Sequence, residues 1–151
     1  MSQLQAPCLL DEAHGVEGFD SGELALDQWL LRRARANQMA GASRTYLVCE
    51  GTRVVAYSAL ASGAVLPLDA VGRFRRNMPD PIPVAVLARL AVDRAWQRQG
   101  LGRALVRDAL MRVAQAASLI GIRGIVVQAI DETAKAFYIA VGFEPSPSDP
   151  L

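Results

Sequence analysis

The chain has 151 residues, of which 52% are hydrophobic and 21% charged, with a formal net charge of +1. That length is ample for one core and short for two, and the composition excludes disordered and collagen-like classes, so a single domain over residues 1–151 is expected. No stretch approaches the roughly 18 apolar residues of a membrane span and no basic-then-apolar leader is present, which predicts a soluble, cytoplasmic protein without membrane contact.

The first residues, MSQLQAPCLLDEAH, read as a loose lead-in carrying one cysteine. Cys8 and Cys49 form no CxxC and no metal-ligand spacing, so two reduced thiols and no metal site are expected. Residues 15–22, GVEGFDSG, approach a helix from Gly22 to about Ala40. Its cap is either Asp20 with Glu23 or Ser21; Leu26, Trp29, Leu30 and Ala34 share one side, and Gly41 stops it. The pattern fits one helix or two broken near residue 37.

Ser43 to Glu50 and Arg53 to Ala61 read as a hairpin around Glu50-Gly51, with a third extended stretch through Gly63 to Leu68. Residues 69–82 are a long loop carrying Arg73, Arg75 and Arg76, and such loops are more often functional than spacers. Pro83 to Val92 is almost continuously apolar and therefore a central strand. Gly100 to Ala117 follows as a helix with Leu101, Leu105, Ala109, Val113 and Ala117 as its buried stripe. Ile122 to Ile130 is another strand, and Asp131 caps a short helix that runs to Val141. Strand, crossover helix and strand imply parallel neighbours, so with the earlier hairpin the sheet is mixed and the class is α/β. The closing PSPSDPL is turn-like.

The stretch Gln97-Arg98-Gln99-Gly100-Leu101-Gly102-Arg103 stands where the long helix starts. A helix start presents N–H groups without intrahelical acceptors and its dipole favours an anion, while two glycines let the backbone come close to one. The same residues also fit an ordinary glycine-containing helix start. The charge around them is uneven: Arg89, Arg94, Arg98, Arg103, Arg107 and Arg112 against Asp93 and Asp108 give six minus two, a local +4. There is no GxxxxGK[ST], and GLGRAL lacks the third glycine of GxGxxG, so two common nucleotide motifs are excluded.

Gln97 to Gly102, followed by a helix, resembles the Q/R-x-x-G-x-G/A signature of the GCN5-related N-acetyltransferase (GNAT) family. Ala134, Phe137-Tyr138 and Gly142-Phe143 resemble its second pattern, A-x-x-[LF]-Y-x-x-x-G-F, with Asp131 where relatives commonly carry asparagine. The segments FDSG, LDQWL, GASRTY and RRNMPDPIP further resemble the TacT/AtaT-like GNAT toxins of type II toxin–antitoxin systems, over roughly residues 8–150. Relatives of this kind usually add one more apolar strand at the end, so the fold is expected to be a GNAT acyl-CoA N-acyltransferase sheet flanked by helices and lacking its last edge strand.

The resemblance implies acetyl-CoA as co-substrate, with its diphosphate over Gln97, Arg98, Gln99, Gly100, Leu101, Gly102 and Arg103 and its pantetheine arm beside Leu90, Ala91 and Val92. It implies Tyr138 as the acid that protonates the departing thiolate. It implies the α-amine of aminoacyl-tRNA as acceptor, a block of translation, a ribbon-helix-helix antitoxin as partner, and a homodimer. Arg32, Arg33, Arg35, Arg73, Arg75 and Arg76 are the candidate tRNA contacts, set against the plainer reading that they keep an apolar domain soluble. His14, the single histidine, reads as local packing rather than a base, and Trp29 and Trp96 as packing rather than base-stacking groups. Competing readings are an acetyltransferase for a protein N-terminus or a small amine, and a catalytically silent acyl-CoA-binding or antitoxin-binding module.

Overall fold

The computed structural model describes residues 4–147. Among these residues five strands form one sheet in the order β1 (Cys8–Leu9), β2 (Arg44–Glu50), β3 (Arg53–Val65), β4 (Ile82–Val92), β5 (Ile125–Val127). β2 pairs antiparallel with both β1 and β3. The helices are α1 (Leu24–Arg32), α2 (Ala34–Met39), the single turn α3 (Gly72–Arg75), α4 (Leu101–Ala117) and α5 (Glu132–Ala140). The crossover through α4 joins β4 to its neighbour β5, as the strand–helix–strand pattern requires.

The chain divides into two compact units: residues up to Ala61 with Leu87–Ala109, and Ser62–Val86 with the residues from Leu110 onward. The first unit has two apolar clusters, because side chains alternate across a strand. Leu47 and Cys49 of β2 join Leu10, Leu30, Ala34 and Tyr57 in one cluster, while Val48 joins Val55, Ala56 and Leu105 in the other. Trp29 and Trp96 pack against these clusters, as expected of packing residues. The second unit is built on Ala70, Ile82 and Val84, with Phe74, Met78 and Val126 against them. Its two close approaches need glycine: a Cβ on Gly63 would meet Val86 Cγ2 at 2.8 Å, and one on Gly124 would meet Phe74 Cε1 at 2.7 Å.

Several local expectations are corrected. The helix after residue 22 is two helices, broken at Arg33 rather than near residue 37, with Leu30 and Ala34 both buried. Neither the Asp20–Glu23 box nor Ser21 caps α1; Glu23 is the cap residue without a side-chain bond, and the Ser21 N–H and hydroxyl both donate to Asp27. The extended stretches around Arg53–Ala61 and Gly63 are one strand, β3, and Pro67–Asp69 is a 3₁₀ turn. β1 lies in the supposedly loose lead-in.

The buried stripe of α4 runs through Leu105, Val106, Ala109 and Val113, leaving Ala117 exposed. Four-residue steps advance by about 40° relative to a 3.6-residue turn, so three of them carry position 117 off the face that position 105 occupies. β5 is only three residues long. Just before it the backbone still bonds to β4, the Arg123 N–H donating to the Pro83 carbonyl and the Ala85 N–H to the Gly124 carbonyl, both at 2.8 Å, while the Arg123 side chain donates to the carbonyls of Phe74 and Arg73 at 2.8 and 2.7 Å. Among the described residues no strand follows α5, and the last four residues of the expected turn-like close lie outside them.

Candidate functional site

In the first unit, the segment from Val92 to Arg103 is held in shape by bonds that span much of the chain. Asp93, 4% exposed, accepts from the Asp20 N–H at 3.1 Å and the Ala95 N–H at 3.0 Å, and Arg53 lies 3.8 Å from it. The Asp20 carboxylate accepts from Arg94 Nε at 3.2 Å, and the Asp20 carbonyl accepts from the Arg94 N–H at 2.8 Å. The Gln97 side-chain amide donates to the carbonyls of Ser21 and Val92, both at 2.9 Å. The FDSG loop is thus stapled to the end of β4, and Gln97 is spent on that staple through its side chain. Asp93 and Asp20 escape a motif search because their partners are 73 and 74 residues away.

Between the staple and α4 the backbone takes left-handed conformations at Arg98 (φ 65) and Gly100 (φ 84). The first bond of α4 is from the Ala104 N–H to the Gly100 carbonyl at 3.0 Å, so the N–H groups of Leu101, Gly102 and Arg103 have no intrahelical acceptor. A Cβ built on Gly100 faces open space. Arg98 and Arg103 are exposed, and no acid lies between Arg94 and Arg107. Backbone donors, a helix dipole, open space and two cations together fit a diphosphate, so the residues present suit the nucleotide end of a coenzyme A. Leu90 and Val92 are half-buried and Ala91 buried on the strand that leads into this loop.

The second unit contains an open groove of about 830 Å³ whose lining includes Val65, Phe74, Val86, Lys135 and Tyr138. Asp131 caps α5 as expected, accepting from the Ala134 N–H at 2.8 Å. The C-terminus of α5 explains the Y-x-x-x-G-F spacing physically. The Phe143 N–H donates to the Tyr138 carbonyl at 3.0 Å and the Gly142 N–H to the Ile139 carbonyl at 3.1 Å, with Gly142 at φ 113. This is the paired 6→1 and 5→2 closure that needs glycine one residue past the cap and a contact between the flanking side chains. That contact is Tyr138 against Phe143, edge-on with ring centroids 5.5 Å apart, and Phe137 meets the Tyr138 ring at 5.3 Å. Burial pushes the Tyr138 phenol up to about 12, so it is a neutral proton donor throughout the physiological range.

The arginines divide by how they are used. Arg32 and Arg33 in the first unit, and Arg75 and Arg76 in the second, are exposed. Arg35 donates to the carbonyls of His14 and Asp11 at 2.6 and 3.2 Å, and Arg73 pairs with Glu144. His14 takes the packing role expected of it: Nδ1 accepts from the Asp11 N–H at 2.9 Å, and Nε2 lies 3.7 Å from Cys8 Sγ. The described residues contain no cluster of three or more His, Cys, Asp or Glu able to hold a metal, and no helix among them is long and apolar enough to cross a membrane.

The GNAT acetyltransferase domain family matches residues 41–145. A tRNA-acetylating toxin of Mycobacterium tuberculosis is 52% identical over 151 residues, covering 100% of this chain and 91% of that protein. The solved structure of AtaT complexed with acetyl-methionyl-tRNAfMet is 30% identical and superimposes with a TM-score of 0.88, covering 95% of this chain and 88% of that one. A tyrosine-to-phenylalanine mutant of AtaT bound to the C-terminus of the antitoxin AtaR and acetyl-CoA is 30% identical at a TM-score of 0.79, covering 94% and 85%.

Proposed function

The chain belongs to the GNAT acetyltransferase family, in its TacT/AtaT-like toxin branch, and from that premise we propose that it acetylates the α-amine of aminoacyl-tRNA and so blocks translation. The observation that carries this reading is the match to a tRNA-acetylating toxin along all 151 residues at 52% identity. The single family match from residue 41 to 145 covers parts of both compact units, which supports one functional domain over residues 1–151.

Acetyl-CoA is the co-substrate and supplies an activated thioester. The N–H groups from Arg98 to Arg103 bind its diphosphate, with Arg98 and Arg103 adding charge, and Gln97 keeps that loop in place. Leu90, Ala91 and Val92 flank its pantetheine arm. An α-amine has an ordinary pKa of about 8, so part of it is already neutral at cytosolic pH and needs only water to take its proton. The amine nitrogen forms the new bond to the acetyl carbon, the carbon–sulfur bond breaks, and the Tyr138 phenol gives its proton to the thiolate. His14 has no part in this, since its ring nitrogens face Asp11 and Cys8.

Arg32, Arg33, Arg75 and Arg76 contact tRNA phosphates, whereas Arg35 and Arg73 shape the surfaces that carry them. The partner that restrains the enzyme is an antitoxin of the ribbon-helix-helix class, the chain works as a homodimer, and it acts in the cytoplasm where charged tRNA resides. The test is a screen of every charged tRNA with labelled acetyl-CoA. Label on the aminoacyl amine is expected; label on a protein N-terminus or a small amine, with every tRNA unmodified, overturns the assignment.

A further inference from the structure

We propose that Arg89 binds a phosphate at the acceptor end of the tRNA, holding the nucleotide that carries the aminoacyl group; this rests on the aminoacyl-tRNA reading above. Arg89 is the one charged residue of β4, whose sequence is IPVAVLARLAV. Placing a half-buried cation in an apolar strand costs desolvation, and Arg35, the other half-buried arginine of this unit, offsets that cost by hydrogen bonding. Arg53 and Arg94 lie 3.8 and 3.2 Å from the carboxylates of Asp93 and Asp20, and Arg35 donates to backbone carbonyls. No Asp or Glu among the described residues lies within 4.0 Å of Arg89. The Asp27 carboxylate accepts from the Ser21 N–H and hydroxyl, and burial keeps the Tyr57 phenol neutral.

What Arg89 has instead is a shelf. Its guanidinium lies 5.3 Å from the ring centroid of Trp29, which stacks on Tyr57 at 6.0 Å and 8°, and the Tyr57 hydroxyl donates to the Leu26 carbonyl at 2.6 Å. One guanidinium nitrogen donates to the Ala88 carbonyl at 3.0 Å. A guanidinium oriented by an indole and one carbonyl keeps further N–H donors for a planar, two-pronged contact with an anion, and phosphate suits that geometry. Position selects the source of the phosphate. Arg89 immediately precedes Leu90–Val92, and at about 3.3 Å per residue its Cα is within roughly 10 Å of the strand end assigned to the acetyl-bearing arm.

The test uses the full chain with three acceptors: aminoacyl-tRNA, a 3′-aminoacyl adenosine bearing a 5′-phosphate, and the same compound without the phosphate. Arg89→Gln is expected to raise KM about tenfold or more on the first two and to leave the third unchanged, with acetyl-CoA affinity and Tm held; Arg89→Lys recovers part of the loss. Equal loss on the two small acceptors, or a parallel loss of acetyl-CoA affinity, assigns Arg89 to packing and overturns the proposal. If Arg89→Gln does not fold, the wild type decides alone: the phosphorylated adenosine must have a KM about tenfold lower than the unphosphorylated one. A wild type that acetylates no aminoacyl-tRNA overturns the parent reading together with this one. Turnover of aminoacyl-tRNA that is indifferent to Arg89→Gln overturns this one alone.

Discussion

The loop before α4 and the turn after α5 use side chain and backbone in opposite ways. In the loop, side chains hold the backbone so that the backbone can act: Asp93, Asp20 and Gln97 take up N–H and C=O groups around Val92 and Ser21, and the donors left for a ligand are main-chain N–H groups. In the turn, the backbone holds a side chain so that the side chain can act: the closure at Gly142 brings Phe143 onto Tyr138 and fixes the ring. Binding an extended anion needs several donors at fixed spacing, which main chain supplies well. Donating one proton needs one group that still holds its proton at working pH, which a buried phenol does.

This contrast can be broken at its sharpest point by Tyr138→Phe. Removing the phenolic proton should lower kcat by about 10²–10³-fold, within the usual range for a positioned acid, while acetyl-CoA Kd stays the same. Steady-state transfer to aminoacyl-tRNA alongside calorimetric binding separates the two; an unchanged kcat removes the acid role. The complementary change in the loop, Gly100→Ala, strains a φ of 84 and intrudes on open space. It should weaken acetyl-CoA binding by about tenfold, with kcat at saturation largely kept. A loss confined to kcat would mean that the loop does not bind by its backbone.

Gln97→Ala tests whether the staple is separable from the cradle. It deletes two hydrogen bonds and should cost about 1–2 kcal/mol of stability in denaturant melts, with a several-fold loss in acetyl-CoA affinity. Full affinity in the variant would show that the loop keeps its shape without the pin. The smallest effects are expected with pH inside the physiological range, and they grow only above it. Burial raises the Cys49 thiol from 9.0 to about 11 and the Tyr138 phenol from 10.0 to about 12. Both are acids kept neutral by folding, so their contribution is complete below the unfolded values and is lost as pH rises through the folded ones. Stability should therefore decline from about pH 9 to about pH 12. Over the same range, no loss of kcat should follow Tyr138 ionisation until pH approaches 12; an activity loss at pH 9 that Tyr138→Phe abolishes would contradict the raised phenol.

Much of the fold follows from short-range pattern. The Glu50-Gly51 turn marked the β2–β3 hairpin, continuous apolarity marked β4 as an interior strand, glycine at 41 ended α2, and Asp131 capped α5. The two family motifs were also legible, because each is a local device: a helix start open to an anion, and a helix end that needs glycine and two aromatic rings. The division of labour among the arginines was not legible. Arg32, Arg33 and Arg35 look alike in the chain, yet Arg35 alone ties down the carbonyls of Asp11 and His14.

By itself, then, the sequence determined the type and order of the main elements, β2, β4, α4, β5 and α5, and which two backbone devices carry the acetyltransferase resemblance. Periodicity and turn chemistry act over a few residues, and those features need nothing more. Tertiary structure decided the rest: that the helix after Gly22 breaks at Arg33, that Ala117 turns to solvent, that Asp93 and Asp20 staple the phosphate loop, and that Arg89 lies on Trp29 without a carboxylate. Each of these depends on residues tens of positions apart meeting in space, and no local preference of the chain encodes which of its arginines will find a partner.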